Sequence, residues 1–167
     1  MKKDVESHLL ETCYTAASMR RIDRRVADYL GISEYQLMIS AGERAYSNLC
    51  ERWPDAQRII VLCGTGNNGG DGWVLARLAV EGGLDCTVYL LGDPVRISGP
   101  AREAYQAWLS LVEKKPKTAK RFLETGNQQC DVIVDALVGI GLKNNQRQEL
   151  SDLIDKANEN GSPIFAL

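Results

Sequence analysis

The stretch Arg58-Ile59-Ile60-Val61-Leu62-Cys63-Gly64-Thr65-Gly66-Asn67-Asn68-Gly69-Gly70-Asp71-Gly72 joins a short apolar run to a turn that carries five glycines in nine residues. An apolar run that stops at a glycine predicts a strand buried on both faces of a parallel sheet. Val74, Leu75, Leu78 and Ala79 then recur at helical spacing up to Gly82-Gly83, and a second apolar run, residues 86–91, is closed by Gly92-Asp93-Pro94. This is the pattern of a β-turn-α-β unit. The glycines are expected to permit positive φ angles and close approach of a ligand, and the turn's amides add to the positive end of the following helix. Phosphate binding is the usual outcome. Asp71 is expected to cap that helix.

Working outward, Met19, Ile22, Val26, Tyr29 and Leu30 mark one helical face that ends at Gly31. Ser33 with Gln36 reads as a capping box, followed by a second stripe of Leu37, Met38, Ala41, Ala45 and Leu49. Beyond the unit, Ala101, Ala104, Tyr105, Trp108, Leu111 and Val112 predict a helix with a charged exit at Lys114, Lys115 and Lys117, which with Lys120 and Arg121 reads as a solvated face. Val132-Ile133-Val134 predicts a third strand ending at Asp135. Leu150, Leu153, Ile154 and Ala157 predict a helix before a fourth strand at Ile164. The expected fold is α/β, a three-layer Rossmann-like parallel sheet preceded by two helices. Its ligand rim comprises residues 64–72, 92–93 and 135–142, at the carboxyl ends of the strands.

At 167 residues, 44% apolar and 25% charged, one compact domain is expected, and a formal charge of −2 argues against nucleic acid or an anionic membrane as the main partner. The longest apolar stretch, Ile59 to Cys63, is too short to span a bilayer, and no signal region follows Met1, so a cytoplasmic location is expected. Cys13, Cys50, Cys63, Cys86 and Cys130 form no paired motif and read as small buried hydrophobes. His8, the sole histidine, sits near the terminus, which leaves acid-base chemistry to carboxylates.

A Walker A loop is excluded because no Lys-Ser or Lys-Thr follows the turn. Gly64-x-Gly66-x-x-Gly69 satisfies the dinucleotide fingerprint by letter, with Asp93 standing where the ribose-binding acid would fall. Asp135, directly after an apolar strand and before a second glycine-containing turn, is the best acid-base candidate. Asn68 and Asp135 supply hard oxygen donors suited to a group-one or group-two cation. Trp73 reads as packing rather than a base-stacking platform. Two other functions fit these residues: a conventional NAD(P)-binding Rossmann module and a non-catalytic nucleotide-binding module.

Residues 64–72 together with Val134-Asp135-Ala136-Leu137-Val138-Gly139-Ile140-Gly141-Leu142 closely resemble the YjeF N-terminal domain family, as does Leu37-Met38 with Ala41-Gly42-Glu43. The resemblance makes residues 1–16 an N-terminal extension and 17–167 the family's domain. Family members are NAD(P)H-hydrate epimerases, isomerases that interconvert the R and S epimers of hydrated NADH and NADPH so that a dehydratase accepting only S can repair the pool. The resemblance implies that Asn67, Asn68, Gly69, Gly70 and Asp71, with Gly139, Ile140, Gly141, Leu142, Lys143, Asn144 and Asn145, contact the hydrated dinucleotide. It also implies that Asn68 and Asp135 ligate a potassium ion. A dehydratase, separate or fused, is the implied partner, and a homodimer is a candidate assembly. The family continues with an Asp-Ile-Pro-Ser-Gly-like segment and later strands where this sequence stops at Phe165-Ala166-Leu167, so an incomplete sheet with an exposed edge and reduced stability is expected.

Overall fold

Every residue of the run 59–63 is at most 2% exposed, so both faces of this strand are covered. In the structure, a computed structural model, residues 14–112, 115–125, 128–139 and 147–167 are described. The chain divides into two compact units, one ending at Glu34 and the other spanning Tyr35–Leu167.

The first unit is built on helix α1 (Ala16–Leu30). The Thr15 hydroxyl accepts from the Ser18 amide at its start, and Gly31 ends it in the left-handed region at φ 65°. The predicted helix and its stop are therefore both present. Helix α2 (Glu34–Arg52) starts directly after Ser33 and from Tyr35 onward belongs to the second unit.

The second unit contains β1 (Arg58–Cys63), α3 (Asn67–Glu81), β2 (Asp85–Leu90), a 3₁₀ turn (Pro94–Arg96), α4 (Gly99–Val112), β3 (Lys117–Thr118), α5 (Ala119–Glu124), β4 (Val132–Ala136), α6 (Arg147–Glu159) and β5 (Ile164–Ala166). The five strands pair in parallel in the order β3-β2-β1-β4-β5. Ile59, Val61, Cys63, Val88, Val132 and Val134 pack with α2, α3 and α4 on one face, while Ile60, Leu62, Tyr89 and Ile133 pack with α5 and α6 on the other. The expected three layers are thus present. The order reverses direction between β1 and β4, and a crevice opens at such a switch point.

Four of the strands match the sequence reading, and β3 with α5 was not foreseen. Thr118 is the pivot: it ends β3 and caps α5 by accepting from the Arg121 amide at 3.3 Å. Lys115, Lys117, Lys120 and Arg121 are all exposed, as a solvated face requires, and Lys114 lies outside the described residues. At the opposite end of the sheet, Asp131 Oδ2 accepts from the amides of Gln57 and Arg58, both at 2.8 Å, and ties the starts of β1 and β4 together. These two bonds hold the Asp131 carboxyl below its usual range. Among the described residues, no helix is long and apolar enough to cross a membrane.

Candidate functional site

The glycine turn does not use positive φ angles: Gly64, Gly66, Gly69, Gly70 and Gly72 are all absent from the glycines that adopt them. Helix α3 begins at Asn67, so most of the motif is the helix's own first turns. Its glycines answer to packing. A Cβ at Gly64 would strike the Leu137 carbonyl, and one at Gly69 would strike the Gly64 carbonyl. At Gly72 it would lie 2.5 Å from Ala136 Cβ, and at Gly70, 2.5 Å from Met38 Cε. Gly66 differs, because a Cβ there would meet nothing within 4 Å. It is the turn glycine that protein packing leaves unexplained.

Gly66 is also the N-cap of α3, and it offers no side-chain cap. Asp71 does not cap the helix as expected; it is the fifth helical residue, half-buried, and too far along to reach the first amides. The first α3 amide with an acceptor is that of Gly70, bonded to the Gly66 carbonyl at 3.0 Å. Among the described residues the amides of Asn67, Asn68 and Gly69 meet no acceptor, as at any helix start, here at the positive end of a 15-residue helix. This is the phosphate-binding arrangement without a nest.

Asp135 lies within β4 rather than after it, paired in register with Leu62 of β1. Its Oδ1 accepts from the Leu137 amide at 3.0 Å, and its backbone carbonyl accepts from the Leu167 amide at 3.0 Å. One carboxylate oxygen thus fixes the turn that follows. Gly64 closes the seam by donating its amide to the Ala136 carbonyl at 3.0 Å. The start of α3 and the loop after β4 meet at Asn68 and Gly139: a Cβ at Gly139 would lie 3.3 Å from Asn68 Cβ and 3.6 Å from its Oδ1. Ile140, Gly141, Leu142, Lys143, Asn144 and Asn145 lie outside the described residues, as do His8 and Cys13.

Asn68 and Asp135 both carry hard oxygen donors of the kind that suit a group-one or group-two cation, and a side chain at 139 would crowd the Asn68 amide. Cys63, directly before the turn, is fully buried, and burial pushes its thiol well above the usual range. No group of three or more His, Cys, Asp or Glu side chains stands together among the described residues, so a zinc-type site is absent there.

Sequence reading missed a groove of about 350 Å³ between α2 and the end of β5, where Arg44 and Asn48 join Asp71. Their spacing on α2 is four residues, which puts both on one face, but a helix-surface pair carries no signal until β5 is placed beside it. Trp73 is fully buried against Tyr105 and Trp108, with ring centroids 5.0 and 5.2 Å away, so it packs and does not stack on a base. Asp93 Oδ1 accepts from the Val95 amide at 2.9 Å and caps the 3₁₀ turn. That use leaves Asp93 one carboxylate oxygen for a ligand.

Residues 34–167 match the family described as YjeF-related protein N-terminus. The chain is 39% identical to the "Bifunctional NAD(P)H-hydrate repair enzyme Nnr" of Escherichia coli (strain K12), over 100% of this chain and 32% of that one. It is 44% identical to the protein of the same description from Coxiella burnetii, over 92% of this chain and 30% of that one. It is 32% identical to the "NAD(P)H-hydrate epimerase" of Lentilactobacillus buchneri, over 92% of this chain and 69% of that one. The chain therefore spans about a third of the bifunctional relatives. The crystal structure of yeast ynu0 superposes with a TM-score of 0.72 at 20% identity, covering 93% of this chain and 69% of that one, and shares its fold.

Proposed function

The chain belongs to the family of YjeF-related protein N-termini, and on that premise we propose that it is an NAD(P)H-hydrate epimerase. In this reading residues 17–167 form the catalytic domain and 1–16 an extension, and the enzyme works in the cytoplasm beside a dehydratase, fused or separate. The observation that carries it is the contact of Asn68 with Gly139, which joins the α3 start to the loop after Asp135. A phosphate-binding helix start and a carboxylate then serve one ligand.

The substrate's pyrophosphate is held by the amides of Asn67, Asn68 and Gly69, and Gly66 lets it approach without meeting a side chain. Asp71 and residues 139–145 complete the contacts. A potassium ion held by Asn68 and Asp135 would supply positive charge beside the phosphates. Epimerisation proceeds as the Asp135 carboxyl gives a proton to the ring hydroxyl, which leaves as water to give a planar iminium; water then adds to the opposite face and returns a proton to the carboxylate. Asp135 keeps one oxygen on the Leu137 amide, which orients the carboxyl while the other moves the proton.

The test is chromatography of the two epimers of hydrated NADH after incubation with the enzyme, with and without potassium. Interconversion above the uncatalysed rate supports the proposal. Nucleotide binding without interconversion would favour a non-catalytic module.

A further inference from the structure

Building on the reading that the substrate is a hydrated nicotinamide dinucleotide, we propose that Arg96 selects its 2′-phosphorylated form, hydrated NADPH, over hydrated NADH. The strand order places β2 beside β1, on the side away from β4. A dinucleotide with its pyrophosphate on the start of α3 therefore reaches over the β4 rim in one direction and the β2 rim in the other. Asp135 draws the reacting nicotinamide half to β4. The adenosine half is left to the turn after β2, where a carboxylate reads a ribose 2′-hydroxyl and an arginine reads a 2′-phosphate.

This turn shows the second arrangement. Asp93 spends Oδ1 on the Val95 amide, which leaves it one carboxylate oxygen against the whole guanidinium fork of Arg96. Arg96 is exposed at the end of that turn, and it has no ion pair among the described residues. The backbone that carries it is fixed. The Arg96 amide donates to the Asp93 carbonyl at 2.9 Å, and Ile97, the next residue, is only 3% exposed and anchors the turn in the core.

Arg102 braces the same turn from α4. Its Nη1 donates to the Pro94 carbonyl at 3.0 Å, and its guanidinium lies 5.8 Å from the Tyr105 ring centroid. Next to it, Ala101 Cβ stands 3.0 Å from where a Gly70 Cβ would be, so α4 bears directly on the glycine segment. The turn and the phosphate site are thus held by one helix. A guanidinium on a fixed backbone loses less freedom on binding and offers a planar fork that matches phosphate. The neighbouring Asp93 charge offsets part of this attraction, so a preference of roughly tenfold is expected rather than a thousandfold one.

Calorimetric titration of the protein with adenosine 2′,5′-bisphosphate and with adenosine 5′-monophosphate tests the proposal without requiring turnover. The bisphosphate should bind roughly tenfold tighter, and the ratio should shrink as salt is raised. Arg96→Ala should bring the ratio to within about twofold of one, Arg96→Lys should keep part of it, and Arg25→Ala, on α1, should keep all of it. Equal affinities in the unmodified protein, a ratio that survives Arg96→Ala, or no binding of either probe at millimolar concentration each overturn the proposal. The parallel measurement is kcat/KM for epimerisation of the two hydrates. A tenfold binding ratio with neither hydrate turned over upholds Arg96 and removes the epimerase reading. Equal kcat/KM with equal binding does the reverse.

Discussion

Asp135 spends one oxygen on the Leu137 amide, and the proposed mechanism gives the other the proton; its conservative replacement separates the two. Asp135→Asn keeps an oxygen to accept from the Leu137 amide, so the fold should hold, while proton handling is lost. Epimer interconversion should fall by roughly 10²-fold or more with an unchanged far-ultraviolet dichroism spectrum. The glycines separate packing from ligand access in the same way. Gly69→Ala forces a Cβ into the Gly64 carbonyl and should cost about 3 kcal/mol or more in urea unfolding. Gly66→Ala meets nothing in the protein and should change stability by less than about 0.5 kcal/mol, yet weaken nucleotide binding roughly tenfold. The sequence made these positions conspicuous but misstated their cause. Glycine density can mean backbone freedom or close approach, and only the neighbours Leu137, Met38 and Ala136, distant in sequence, show that it is approach.

Elements with a long apolar period were legible, and those without one were not. β1, β2, β4 and β5 each announce themselves by an apolar run, and α1 by a stripe closed at Gly31. β3 has two residues, Lys117 and Thr118, and α5 has six, so neither is long enough to display a period. Both form because the β2 edge and the Tyr89 face are there to receive them; Tyr89 and Phe122 rings meet at 5.0 Å. Gly31→Ala should cost about 1 kcal/mol, since a Cβ has open space there but the left-handed backbone disfavours it. The Asp131 bracket between β1 and β4 has a pH signature. Its carboxyl is held below the ordinary value, so its stabilisation is fully present above the unfolded value near ~3.9 and is lost as pH falls through the lower folded one. Because the group is almost fully exposed, Asp131→Asn should cost less than about 1 kcal/mol at pH 7, and the difference from the unmodified protein should shrink in denaturant titrations as pH falls below the unfolded value.

At the scale of the molecule, the strand order β3-β2-β1-β4-β5 is what makes a site from distant segments. The sequence located both motifs, but their union across the β1–β4 seam depends on pairing that no local pattern encodes. Leu62 opposite Asp135 sets the carboxylate one step behind the glycine turn, and the Asn68 contact with Gly139 closes the gap in front of it. If a monovalent cation belongs in that seam, replacing potassium by a bulky organic cation should slow epimerisation, and Asn68→Ala should remove the difference between the two salts. The most direct test of the whole account starts from the pure R epimer of hydrated NADH in ¹⁸O-labelled water and follows both epimers by chromatography and mass spectrometry. The account predicts enzyme-dependent appearance of the S epimer carrying ¹⁸O at the hydrated carbon. Failure of the S epimer to form above the uncatalysed rate would contradict it.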